Sequence, residues 1–116
     1  HLDLQTLTAT GQVFGTPMYM APEQLADSKH VDPRCDIYSV GAVLFECLAG
    51  ARPFLAPNIL SLANAVLLGP QPDIRAVRPG VPEGLASIID RCMARRARER
   101  FADARALRAA FMALGD

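Results

Sequence analysis

Residues 32–50 read DPRCDIYSVGAVLFECLAG, and this stretch decides the fold. Asp32 followed by Pro33 is a helix start: a carboxylate that can accept from free backbone N–H groups, then a proline where no N–H is needed. Ile37, Val40, Gly41, Leu44, Phe45 and Leu48 recur at the spacing of one helical face. Gly50 is a natural stop. Tyr38, Ala42, Val43, Cys47 and Ala49 surround this stripe, so the helix is apolar nearly all round. Such a helix has to be covered by protein on most sides. The apolar run from Ile37 to Gly50 is broken by Glu46 and is shorter than the ~20 residues of a bilayer span.

Downstream, a second helix is expected over roughly 57–68, with Ile59, Leu62, Ala63, Val66 and Leu67 on one face and Gly69-Pro70 as its end. A loop containing Pro70, Pro72, Pro79 and Pro82 follows. A third helix, about 83–94, aligns Leu85, Ile88, Ile89, Cys92 and Met93. A fourth, about 103–114, aligns Leu107, Ala110, Phe111 and Leu114, with Asp103 as cap and Gly115 at the end. Upstream, residues 1–20 are rich in Thr and Gly and read as an ordered loop without regular structure. Pro22 opens a short helical turn, and residues 26–31 are a polar connector. No strand, repeat or low-complexity tract emerges, so the fold class is all-α.

The 116 residues are 51% hydrophobic and 21% charged, a globular composition. Twelve basic residues balance twelve acidic ones, which argues against a nucleic-acid or membrane-surface binder. Three cysteines without C-x-x-C spacing make neither a disulfide framework nor a zinc cluster. Cys35 and Cys47 on one helix stand ~18 Å apart, out of bonding reach. Reduced, mostly buried thiols and a cytoplasmic location are the expectation. Eleven of the twelve basic residues are arginine and nineteen residues are alanine, as GC-rich bacterial coding DNA produces. Residues 91–116 hold seven basic and three acidic residues, and this arginine cluster needs its own explanation.

The run Gly15-Thr16-Pro17-Met18-Tyr19-Met20-Ala21-Pro22-Glu23 resembles the end of the activation segment of a eukaryotic-type serine/threonine protein kinase, including its Ala-Pro-Glu motif. Asp36-Ile37-Tyr38-Ser39-Val40-Gly41 resembles that family's Asp-x-[Trp/Tyr]-Ser-x-Gly pattern on its central helix. Pro53-Phe54, and the segment from Cys92-Met93 through Arg100 to Leu107, resemble its later elements in the same order. The resemblance covers essentially the whole chain. It divides residues 1–116, a partial kinase domain, into an activation segment and substrate-docking loop (1–25) and a helical C-lobe subdomain (32–116).

The resemblance implies roles residue by residue. Gly15, Thr16, Pro17, Met18 and Tyr19 would dock substrate, with Thr16 also reaching toward the catalytic groups and marking a Ser/Thr acceptor. Glu23 would pair with Arg100; Arg95, Arg96 and Arg98 compete for it. Asp36 would be a costly charge on an apolar helix unless satisfied, and would accept N–H bonds from the catalytic loop. Gly41 would permit close approach of backbone. Thr6, Thr8 and Thr10 lie where activation-loop phosphorylation occurs. One departure stands out: Arg96-Ala97 replaces the family's Asp-Pro before the late arginine and is expected to loosen that turn.

The sequence contains no Gly-rich loop, strand lysine, His-Arg-Asp or Asp-Phe-Gly. No catalytic, cofactor-binding or metal-binding residue is therefore assigned to this chain. ATP and Mg2+ are expected for the intact kinase only. Three further helices can hardly cover an all-apolar helix, so an upstream half of the domain is the expected partner, with a protein substrate and neither nucleic acid nor membrane. The expected function is substrate docking and catalytic-loop support within a serine/threonine kinase, inactive alone. The alternative is a non-catalytic helical interaction module derived from a kinase.

Overall fold

A computed structural model describes residues 17–27, 29–30 and 32–115. Six helices follow a 3-10 turn at Pro17–Tyr19: α1 (Pro22–Ala26), α2 (Pro33–Ala49), α3 (Ile59–Leu68), α4 (Ile74–Val77), α5 (Glu83–Cys92) and α6 (Ala104–Leu114). A second 3-10 turn, Ala97–Glu99, joins α5 to α6. The described residues contain no strand, and the protein is all-α.

Three of the four long helices begin where a short polar side chain accepts backbone N–H bonds; α5 instead follows Pro82 without a side-chain cap. Asp32 takes those of Arg34 and Cys35, Asn58 that of Ser61, and Asp103 that of Ala106. Gly50 ends α2 at φ +77°, a left-handed conformation that costs other residues a Cβ clash. The expected start of α3 therefore moves inward, past Asn58, while Asp103 caps α6 as expected. The short α4 interrupts a stretch expected to be loop. It begins at the Asp73 cap and buries Ile74 completely.

α2 runs through the centre. Cys35, Ile37, Tyr38, Gly41, Ala42 and Phe45 are its buried residues. Ile37 packs with Ile88, Cys92, Phe101 and Leu107, whereas Tyr38, Ala42 and Phe45 pack with Leu25, Leu62, Val66 and Ile89. Gly41 is where α5 crosses: a Cβ there would sit 2.5 Å from Cys92 Cβ and 2.9 Å from Met93 Cγ. The close approach expected at this glycine is therefore made by α5. Cys35 and Cys92 are buried and Cys47 is exposed. Burial pushes the Cys92 thiol up to about 11.

As expected of an all-apolar helix with only three further helices to cover it, α2 stays open on one face. Val40 and Val43 are 40% and 45% exposed, and Asp36 and Cys47 are also exposed. These four residues fall at i, i+4, i+7 and i+11, a single stripe along the helix.

The arginine cluster resolves into separate jobs. Arg91 lies over the Phe101 ring, 4.3 Å from its centroid. Arg95 donates to Val66 O (3.0 Å) and Gly69 O, closing the C-terminus of α3. Arg100 is buried. Elsewhere Arg75 joins Asp73, Glu83 and Asp90, tying α4 to α5, and holds the Glu83 carboxyl down at about 2 through its hydrogen bonds. No helix among the described residues is long and apolar enough to cross a membrane.

Candidate functional site

The 3-10 turn Pro17–Tyr19 leads into α1, whose Pro22 needs no N–H partner and whose Gln24 side chain accepts from Ala21 N–H at 3.0 Å. Two bonds fasten the turn to α2. Ser39 Oγ donates to Tyr19 O at 2.7 Å, and the Tyr19 hydroxyl donates to Glu46 Oε1. The Glu46 bond raises the Tyr19 phenol. Beside the turn lies a cleft of about 230 Å³ whose walls include Pro17, Met18, Arg52, Phe54 and Leu62. Pro17 and Met18 thus sit at an apolar cleft with a cation, Arg52, on its wall, whereas Tyr19 turns to Glu46. Gly15 and Thr16, and the candidate phosphosites Thr6, Thr8 and Thr10, lie outside the described residues.

One turn further, Glu23 meets Arg100. The guanidinium donates from Nη1 to Oε2 at 2.6 Å and from Nη2 to Oε1 at 2.8 Å, a fork-to-fork pair joining residues 77 apart in sequence. Its remaining donors go to Ala94 O, Arg34 O and Arg95 O. The Arg100 side chain is fully buried, and its guanidinium stacks over Tyr38, 5.0 Å from the ring centroid. Burial pushes the Glu23 carboxyl up, but the Arg100 hydrogen bonds, its own backbone N–H and the Arg100 charge outweigh burial and leave it below its ordinary 4.5. Of the competing arginines, Arg95 is engaged on α3, and Arg96 and Arg98 are exposed. Between Arg96 and Arg100 the chain makes a closed turn, with Glu99 N–H on Arg96 O and Arg100 N–H on Ala97 O, both at 3.0 Å.

Asp36 is exposed in the first turn of α2, where unpaired backbone N–H groups favour a negative charge. It begins the open stripe that continues through Val40 and Val43, and the shallow apolar hollow beside those valines is bounded by Ser39 and Leu44. Sequence reasoning missed this face because both sides of α2 are apolar.

The chain matches the family pattern of the protein kinase domain over residues 3–112. It belongs to the protein kinase domain family. The kinase elements it carries are those of the C-terminal part of the C-lobe, from activation segment to last helix. It is 41% identical over 100 residues to the serine/threonine-protein kinase PknH of Mycobacterium tuberculosis, covering 86% of this chain and 16% of that protein. It is 38% identical over 111 residues to the serine/threonine-protein kinase PknL of the same organism, covering 96% and 28%. Its likeness to the tyrosine-protein kinase MasK of Myxococcus xanthus is 44% over 99 residues, covering 85% and 15%. All three relatives are bacterial kinases, and the chain spans less than a third of each.

Proposed function

We propose that this chain is the substrate-docking and catalytic-loop-supporting part of a kinase that transfers the γ-phosphoryl group of ATP to protein Ser or Thr. The observation that carries the proposal is the open stripe Asp36–Val40–Val43–Cys47 on an otherwise buried helix. In a kinase-domain chain lacking every ATP- and Mg2+-binding motif, a segment bearing those motifs is the natural cover. Asp36 would accept its backbone N–H groups while Val40 and Val43 bury against its apolar side.

Substrate would lie along Pro17, Met18 and Tyr19, with Thr16 reaching the acceptor hydroxyl. Glu23 and Arg100 would brace this loop against the last two helices. Phosphorylation at Thr6, Thr8 or Thr10 would order the loop by pairing with an arginine outside this sequence. Alone, the chain has no group to hold nucleotide or metal for phosphoryl transfer, and is inactive in this proposal. The relatives' names include both Ser/Thr and Tyr kinases; the Thr16 match favours Ser/Thr.

Cys47 is a built-in reporter for the cover, being the one exposed thiol of three. Its alkylation should slow at least about tenfold when the chain is co-purified with a kinase segment carrying the Gly-rich loop, His-Arg-Asp and Asp-Phe-Gly. Unchanged alkylation in a formed complex would overturn the proposal. A non-catalytic interaction module is the second reading, favoured by the exposure of Leu60 and Leu68 on α3 at 60% and 78%. It predicts binding to partners through α3 with the stripe left open.

A further inference from the structure

Where α1, the polar connector and the N-terminus of α2 meet, four different donor side chains converge. The Glu23 carboxylate, His30 Nε2, the Asp32 carboxylate and Cys35 Sγ lie within 4.8 Å of one another. We propose that these four residues form a divalent-metal site of the zinc class, independent of the phosphoryl-transfer chemistry of the family.

The donor set selects the ion. One thiolate and one imidazole beside two carboxylates suit zinc and exclude Mg2+ and Ca2+, which take oxygen ligands. The spacing fits too. Zinc bonds of about 2.0–2.3 Å place tetrahedral ligand atoms about 3.3–3.8 Å apart, so the widest pair closes by about 1.5 Å at most and the His30–Asp32 pair opens by about 1 Å. His30 can supply this movement, because its side chain is 42% exposed. Its exposed edge also gives an ion a path from solvent.

Two existing polar contacts mark the ion's position. His30 Nε2 lies 2.5 Å from Asp32 Oδ2, and Cys35 Sγ donates to Glu23 Oε2 at 3.3 Å. In each, a proton lies between two atoms that would both be ligands. The ion replaces those protons: the Cys35 thiol proton leaves to solvent, and His30 moves its ring proton to Nδ1. The scaffold survives the exchange. Asp32 Oδ1 keeps the N–H groups of Arg34 and Cys35, leaving Oδ2 for the metal. Glu23 Oε1 keeps Arg100 Nη2.

The charges close as well. A dication with the Cys35 thiolate, the Asp32 and Glu23 carboxylates and the Arg100 guanidinium sums to zero. Two features oppose binding. Burial and the Glu23 carboxylate push the Cys35 thiol up to about 12, and Arg100 Nη1 must yield part of its bond to Oε2. Against them, the N-terminus of α2 stabilises the thiolate, and the dication replaces the thiol proton outright. Bound metal would pin the connector at His30 to both the docking loop and the central helix.

The test uses Co2+, then Zn2+, on the purified 116-residue chain, with far-ultraviolet circular dichroism confirming the helices. The expected result is one equivalent of Co2+ with a thiolate-to-cobalt charge-transfer band, displaced by Zn2+. Cys35→Ser should abolish the band, and His30→Ala should weaken binding at least about tenfold. Cys47→Ser, remote on the open stripe, should change nothing. Should Cys35→Ser fail to fold, His30→Ala decides alone, since His30 lies outside the core. No stoichiometric binding, binding unaffected by His30→Ala, or a band lost with Cys47→Ser would each overturn the proposal.

Discussion

Arg100 is the one charged residue that is buried among the described residues. Its five donors are all placed, and four of its five bonds reach the Glu23 carboxylate or carbonyls at the end of the α5 connection. Removing one partner of such a pair leaves a buried charge, so Arg100→Ala or Glu23→Gln should destabilise by about 3 kcal/mol in urea unfolding. The pair also sets an acid limit. Because the folded Glu23 carboxyl lies below its ordinary 4.5, its contribution is complete above that value and fades as pH falls through the lower folded one. Glu23→Gln should therefore flatten this part of the acid-unfolding profile. Tyr38 makes the opposite case. Its hydroxyl is buried without a hydrogen-bond partner among the described residues, and burial pushes it up to about 12. Tyr38→Phe should leave stability unchanged or raise it by about 1 kcal/mol, measured by thermal unfolding. Gly41→Ala reverses the usual helix preference. Alanine would normally stabilise a helix interior, but the contact with Cys92 and Met93 should turn the change into a loss of about 1–3 kcal/mol.

At the scale of elements, ends were more legible than faces. Asp32-Pro33 and Gly50 fix both ends of α2, because caps and left-handed glycines are local chemistry carried by single residues. The face of α2 that stays open was not legible, since Val40 and Val43 are as apolar as Phe45. Only the packing partners distinguish them. The short α4 escaped because four residues carry no period, and Asp73 looks like any loop aspartate among prolines. In sequence Arg95 is only a competitor for Glu23. Its true partners, Val66 O and Gly69 O, are nearly thirty residues away. Because Arg95 satisfies carbonyls that α3 leaves free, Arg95→Ala should speed amide exchange in the last turn of α3. Exchange in α5 should stay as it is.

Across the whole molecule, the order of motifs was readable from sequence and their assembly was not. Glu23, Arg100 and Cys35 come from distant segments, yet their side chains meet around one point beside α2. The stripe from Asp36 to Cys47 on α2 is the molecule's clearest unfinished surface, and the proposed function rests on what covers it. The most direct measurement is phosphate transfer from ATP with Mg2+ to a Ser/Thr protein substrate. It should be made for this chain alone and for the chain assembled with a segment carrying His-Arg-Asp and Asp-Phe-Gly. The account predicts no transfer alone, transfer in the assembly, and its loss on Asp36→Ala. Transfer by the chain alone, or an assembly indifferent to Asp36, would contradict it.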